Sequence, residues 1–232
     1  TETEYYPLGD VWFEHFIEEL KKAEHYIFME YFIISEGYLW DTVLEILKEK
    51  AAAGVDVRVI YDDFGCVTTL PYQYYKSLQQ MGIKCAAFNQ FRPVLNVILN
   101  NRDHRKIAVI DGHTAFTGGI NLADEYINRK ERFGHWKDTG VRLEGDAVRS
   151  LTVMFLEMWN AIKYTDTDYT PYFPQDGAQP HEAGLASSAA DRGVGAAQSD
   201  ANIAADSASG FVQPYADSPL DGERTGENVY LD

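Results

Sequence analysis

Between residues 11 and 23 the apolar side chains Trp12, Phe13, Phe16, Ile17 and Leu20 recur at helical spacing, which predicts a helix that buries one stripe. The run from His25 to Ile34 is almost continuously apolar, with Glu30 inside it, and reads as a buried strand. A helix over 40–53 stopping at Gly54, a strand over 55–61, a helix over 72–81 ending at Gly82 and a strand over 83–88 follow. Two short apolar runs, 104–110 and 114–118, flank Asp111-Gly112, a dipeptide that tolerates the positive φ angles of a tight hairpin. A strand at 139–144 and a long helix at 146–163 complete the pattern. Strands alternating with helices in this way imply right-handed crossovers, so the expected class is α/β: an α/β/α sandwich with a mixed central sheet.

The pattern divides the chain. Residues 1–165 carry enough apolar material for one packed domain. Residues 166–210 become rich in Ala, Gly, Ser, Asp and Pro and are expected to form a flexible linker, because so few large apolar groups cannot offset the entropy of ordering. Aromatic and turn residues return in 211–232, which reads as the start of a truncated second domain.

The formal net charge is −16. This argues against bulk electrostatic capture of nucleic acid or of an anionic bilayer, so a phosphate ester must be bound by a local cluster of cations. The two cysteines, Cys66 and Cys85, lack the spacing of a zinc site and are too few for a disulfide scaffold; the reading is two thiols in a reducing compartment. No apolar run is long enough to span a bilayer and no signal peptide opens the chain, so the expectation is a soluble polypeptide.

The chemistry concentrates in His104-Arg105-Lys106-Ile-Ala-Val-Ile-Asp111-Gly112. Residues two apart on a strand share a face, so His104 and Lys106 point the same way and Arg105 points the other. An imidazole beside an ammonium suits a phosphate: the lysine binds non-bridging oxygens and the neutral imidazole attacks phosphorus. Asp111, at the hairpin turn, is placed to brace backbone or a partner's cation. Downstream, Gly118-Gly119 permits close backbone approach to a ligand, and Asn121 offers an amide to a phosphate oxygen.

The spacing H-x-K-x4-D followed by G-G-x-N resembles the phospholipase D superfamily signature. With Glu30-Tyr31-Phe32-Ile33, Phe116 through Tyr126 and Phe133 through Thr139, residues 1–165 resemble the N-terminal catalytic half of bacterial cardiolipin synthase, and 211–232 resemble the opening of that family's second half. The resemblance implies a membrane-associated phosphatidyltransferase needing no metal or cofactor. It joins two phosphatidylglycerol molecules into cardiolipin, releasing glycerol, through a phosphohistidine. It implies that His104 is the nucleophile or its acid–base partner, that Lys106, Gly119 and Asn121 belong to the phosphate site, and that Asp111 is structural support.

The motif occurs once in this chain and the family's amino-terminal membrane helices are missing from it. A base and an acid are needed on opposite sides of phosphorus, so a second catalytic half or a homodimer partner must complete the site. Two other readings remain: a single-motif homodimeric phosphodiesterase or nuclease, which the acidic composition disfavours, and a folded but inactive fragment, which the stub at 211–232 favours over a dedicated dimer.

Other residues carry paired readings. Asp138 either hydrogen-bonds the catalytic imidazole or bonds nearby backbone. Glu30, costly if buried unpaired, calls for a cation such as Arg58. Arg102, Arg105 and Lys137 are candidate phosphate cations, Arg105 the weakest. His135 and Trp136 line a headgroup site or, preferably, pack on a loop. Tyr72, Tyr74 and Tyr75 with Phe91 and Pro93 form an interfacial surface or, preferably, helix core.

Overall fold

The computed structural model describes residues 1–90 and 102–173. Of the expected linker, residues 166–173 are described and pack on the domain, Asp166 pairing with Arg58 and Tyr172 meeting Tyr26 and Phe28; residues 174–210 and the 211–232 segment, with Phe91 and Pro93, lie outside the described residues. In order come β1 (Glu2–Tyr6), α1 (Gly9–Lys22), β2 (Tyr26–Tyr31), α2 (Tyr38–Ala52), β3 (Asp56–Asp62), α3 (Tyr74–Gln80), β4 (Lys84–Phe88), β5 (Lys106–Ile110), β6 (Thr114–Gly118), β7 (Gly140–Glu144) and α4 (Ala147–Lys163). A 3-10 turn at Asp124–Ile127 separates β6 from β7.

The strands form one sheet in the order β1-β7-β6-β5-β2-β3-β4. β2, β3 and β4 run parallel, while the remaining pairings are antiparallel. The sheet is therefore mixed, as the alternation of elements implied. Two cores follow from the period-2 pleat. Ile27, Met29 and Tyr31 of β2 share one face with Ala108 and Ile110 of β5, packed with side chains of α1, α2 and α3. Tyr26 and Phe28 share the opposite face with Ile107 and Val109, under Leu151, Phe155 and Trp159 of α4. Burial on both faces explains why β2 reads as continuously apolar.

The predicted helical stripe of α1 is real: Trp12 stacks on Phe16 at 4.5 Å, and both meet Phe116 of β6 edge-on. β1 was not legible. Of Glu-Thr-Glu-Tyr-Tyr only Tyr6 is buried, so an edge strand antiparallel to β7 leaves no apolar alternation to detect. Both cysteines are buried, and burial pushes their thiols upward in pKa, Cys66 to about 12. Tyr74 is core, accepting a 2.9 Å hydrogen bond from Trp40 Nε1, whereas Tyr72 is 85% exposed. Among the described residues no helix is long and apolar enough to cross a membrane.

Candidate active site

The site lies where the end of β2 meets the start of β5, with Tyr31 opposite Lys106. The expected strand over 104–110 begins only at Lys106; His104 occupies the irregular segment just before it. The two side chains still meet. Lys106 Nζ lies 3.0 Å from His104 Nδ1 and also donates to the His104 carbonyl. The ring of Phe32, one residue past β2, covers the pair, at 4.5 Å from the imidazole centroid and 5.4 Å from Nζ.

This packing sets the electrostatics. Burial, only partly opposed by the carboxylates of Asp138 and Asp103, brings the Lys106 pKa down to about 8. Burial first and the Lys106 charge second also lower the His104 pKa. At neutral pH the imidazole is therefore neutral beside a cation. An ammonium has no lone pair, so Nδ1 accepts and the ring proton sits on Nε2.

A charged layer that the sequence did not reveal supports His104 from behind. Asp103 is buried, donates its amide to Asp62 Oδ2 at 3.0 Å and accepts Arg105 Nε at 3.1 Å. Arg105 Nε also lies 2.7 Å from Glu30 Oε1. Glu30 is fully buried, and burial reinforced by Asp103 raises its pKa well above the usual carboxylate range. The expected Glu30–Arg58 pair does not form. Register sets Arg58 opposite Phe28 and Glu30 opposite Ile60, an offset of two residues. Arg58 binds Asp56 and Asp166 instead. Arg105 thus faces away from His104, as alternation required, and Arg102 lies 3.6 Å from Asp62 Oδ1.

The glycine pair and Asn121 have other contacts than those expected, whereas Asp138 and Asp111 bond backbone, which was among their readings. The Gly118-Gly119 pair makes room for protein rather than ligand. A Cβ on Gly118 would lie 2.4 Å from the Thr139 carbonyl, and one on Gly119 would lie 1.9 Å from Asp138 Oδ1. Asn121 is 2% exposed; its Oδ1 accepts from the Ile33 amide at 3.0 Å and its Nδ2 donates to the Tyr126 hydroxyl at 2.7 Å. Its first task is to hold the end of β2 in place. Asp138 Oδ1 accepts from the Thr139 amide at 2.9 Å, the backbone alternative of its two readings, and its charge acts on Lys106. Asp111 stands at the opposite end of β5, roughly 17 Å along the strand from Lys106. There it accepts from the backbone amides of Glu24, His25 and Tyr26 at 2.7–2.8 Å.

The crowding at Gly119 gives a prediction. Gly119→Ala displaces the Asp138 carboxylate from Lys106, removing one of the charges that hold the ammonium protonated. The Lys106 pKa should fall below about 8. Following the lysine Nζ by NMR through a pH titration checks this; an unchanged titration would mean that Asp138 does not act on Lys106.

Trp136 packs on Tyr126 with centroids 5.1 Å apart, the preferred reading, while His135 and Lys137 are exposed. Among the described residues no group of His, Cys, Asp and Glu is placed to hold a metal ion. What the arrangement offers is a neutral imidazole, a buried ammonium and a rigid support, fit for transfer of a phosphoryl group.

Comparison with known proteins gives a family. A family model described as "Cardiolipin synthase, PLD-like domain" matches residues 16–159. A Streptococcus mutans protein of uncharacterised function is 46% identical over 232 residues, 100% of this chain and 44% of that protein. Cardiolipin synthase 2 of Bacillus anthracis is 41% identical over 160 residues, 68% of this chain and 31% of its own length. Cardiolipin synthase of Staphylococcus aureus Mu50 is 38% identical over 176 residues, covering 73% of this chain and 35% of its own length. The chain thus spans less than half the length of these relatives. Among solved structures, NucT from Helicobacter pylori superimposes with a TM-score of 0.54 at 13% identity, covering 69% of this chain and 96% of that one. Phosphatidylserine synthase from Haemophilus influenzae gives 0.53 at 16% identity, covering 67% and 36%. At such identities these two show a shared fold.

Proposed function

The chain belongs to the cardiolipin synthase, phospholipase D-like domain family, and from that premise we propose that it is one half of a phosphatidyltransferase that converts two phosphatidylglycerol molecules into cardiolipin and glycerol. The observation that carries the reading is the contact between His104 and Lys106, 3.0 Å apart. A phosphodiester entering the site draws the Lys106 ammonium onto a non-bridging oxygen. That frees Nδ1 to take the ring proton and leaves a lone pair on Nε2. The imidazole then attacks phosphorus, the phosphorus–oxygen bond to the glycerol headgroup breaks, and glycerol leaves with a proton from an acid across the site. The hydroxyl of a second phosphatidylglycerol gives up its proton to that same opposing group, now a base, attacks phosphorus and breaks the phosphorus–nitrogen bond. Cardiolipin is released and the imidazole is regenerated.

The opposing acid is the part this chain does not carry as a second motif, since H-x-K-x4-D occurs once in it. A second catalytic half or a second copy of the chain supplies it. The net charge of −16 supports a lipid over a polyanionic nucleic acid as the substrate. The exposed Phe64, Val67 and Tyr72, on the loop after β3 whose Gly65 packs against Phe32, support an amphiphilic substrate.

The test incubates the chain with phosphatidylglycerol and follows cardiolipin and glycerol by mass spectrometry, with light scattering in the same buffer. Acid-labile phosphatidyl on His104 in rapidly quenched samples is the expected intermediate. A dimer that forms cardiolipin supports self-completion; a monomer that turns over only when a second half is added supports the two-half arrangement. Covalent labelling of a different histidine overturns the role of His104, and release of phosphatidic acid without cardiolipin overturns transfer in favour of hydrolysis.

A further inference from the structure

We propose that Glu30 and Asp103 form a buried carboxyl pair joined by one shared proton, held on Glu30, and that this pair is the positioning device that fixes His104. The need for such a device follows from where His104 sits. The ladder between β2 and β5 begins with Tyr31 opposite Lys106, so His104 lies just outside it and is not held by strand pairing. Its two chain neighbours are tied down instead, and both ties lead to Glu30. Arg105 Nε lies 2.7 Å from Glu30 Oε1 and donates to Asp103 Oδ1 at 3.1 Å. The Asp103 amide is in turn held by Asp62 Oδ2.

One cation does not satisfy this pair. Glu30 and Asp103 are both buried, and one Nε–H lies between a carboxyl oxygen of each. Glu30 Oε2 and Asp103 Oδ2 are buried as well, and neither meets an N–H donor among the described residues. The two carboxyls nevertheless lie within hydrogen-bonding reach of each other. Two carboxylates there repel, and their desolvation is not offset. A single proton removes both costs: a carboxylic acid donates to the facing carboxylate, and the two carboxyls with Arg105 become neutral in sum. The proton belongs on Glu30, which is fully buried and whose pKa is pushed well above the carboxylate range by burial first and Asp103 second. Asp103 keeps its charge beside His104 and Lys106, where it draws both pKa values upward against burial.

The other charges near this face are engaged elsewhere. Asp62 of β3 accepts from the Asp103 amide and lies 3.6 Å from Arg102. Arg58, on the same sheet face as Glu30, binds Asp56 and Asp166. The buried side chains that α4 lays over that face are apolar apart from Thr152. The positioning role rests on the proposed chemistry of His104; the shared proton does not.

The test uses the full chain. Its infrared spectrum at neutral pH should show the carbonyl stretch of a buried protonated carboxyl, lost in Glu30→Gln. Glutamine keeps a donor for Asp103 and an acceptor for Arg105, so it stands in for the protonated acid. A folded-state pKa raised above the unfolded value gives stability that is present at low pH and lost as pH rises toward the folded value. The Tm of Glu30→Gln should therefore gain on that of the parent between about pH 5 and about pH 8. In NMR titrations Asp103→Asn should lower the His104 pKa, whereas Glu30→Gln should leave it in place. For positioning, nitrogen shifts of the His104 ring report its tautomer: Nε2–H should dominate in the parent and in Glu30→Gln, but not in Glu30→Leu. Arg105→Met cuts the same tie from its other end and should act as Glu30→Leu does, with circular dichroism establishing which variants fold. In an assembly that transfers phosphatidyl, the tautomer-shifted variant should lose roughly tenfold or more in kcat with KM within a few-fold. Absence of the protonated-carboxyl band, or a Glu30→Gln chain that melts below the parent by one margin at both pH values, overturns the shared proton. A His104 titration moved as far by Glu30→Gln as by Asp103→Asn overturns its assignment to Glu30. A parent-like tautomer in folded Glu30→Leu or Arg105→Met overturns the positioning role. These readings need no turnover, so they stand or fall apart from the proposed reaction.

Discussion

Replacing His104 by alanine is expected to lower kcat/KM for phosphatidyl transfer by roughly 10³-fold or more, measured on whichever assembly of this chain turns over phosphatidylglycerol. Among the described residues nothing stands in for the ring: the polar side chain bonded to its Nδ1 is Lys106, which is cationic at neutral pH. The pH profile separates the two roles. The His104 pKa is lowered, so the imidazole loses its proton as pH rises through a value below the ordinary one, and the rate rises with it. The Lys106 ammonium loses its charge as pH rises through about 8, and the rate falls. The profile of kcat/KM, which reports the free enzyme, should be a plateau bounded by these two limbs. Lys106→Arg keeps its charge far above pH 8, so the alkaline limb should vanish. The plateau should drop as well, because a planar fork does not fit the place of a buried ammonium. A limb still at 8 in Lys106→Arg would take the alkaline group away from Lys106, and a His104→Ala variant within tenfold of the parent would remove His104 as nucleophile.

Much of this was legible from periodicity. The elements from α1 to α4 that carry buried stripes or continuous apolar runs fall within a few residues of their expected bounds, because burying apolar area drives both the pattern and the packing. The edge strand β1 was hidden because only Tyr6 in it is buried. At the site, alternation foresaw that His104 and Lys106 share a face and that Arg105 does not. It was silent on Asp103, whose burial depends on the path of the chain past Asp62, and on Phe32, which reaches the imidazole only because β2 and β5 are neighbours. The Glu30 partner was misassigned because register between strands is not written in either strand alone. Gly119 was read as room for a ligand; the space is taken by Asp138, a residue 19 positions away in sequence.

Asp111 is where motif and mechanism part, and its replacement should cost stability before it costs chemistry. Its two oxygens accept three backbone amides, those of Glu24, His25 and Tyr26, at the start of β2. Its own amide donates to the Tyr26 carbonyl at 3.1 Å. It also sits at φ 51°, followed by Gly112 at φ 69°, the two positive angles of the turn closed by the His113 amide donating to the Ile110 carbonyl. Asp111→Ala removes all three side-chain bonds and puts a Cβ-bearing residue with no compensating polar group at positive φ. With bonds at this solvent-accessible position each contributing about 1 kcal/mol, and about 1 kcal/mol for the backbone, the expected loss is roughly 3–5 kcal/mol. For a domain of this size that is a fall in Tm of about 6–20 °C. Asp111→Asn tolerates positive φ and keeps one accepting oxygen, so it should lose about half as much. Thermal melts of the two variants read this directly. At a temperature where Asp111→Asn remains folded, its phosphatidyl transfer should stay within a few-fold of the parent, since the strand holds it far from the phosphate. An Asp111→Asn chain that melts with the parent yet transfers no phosphatidyl would show instead that the carboxylate acts in the chemistry, reaching it through the partner half.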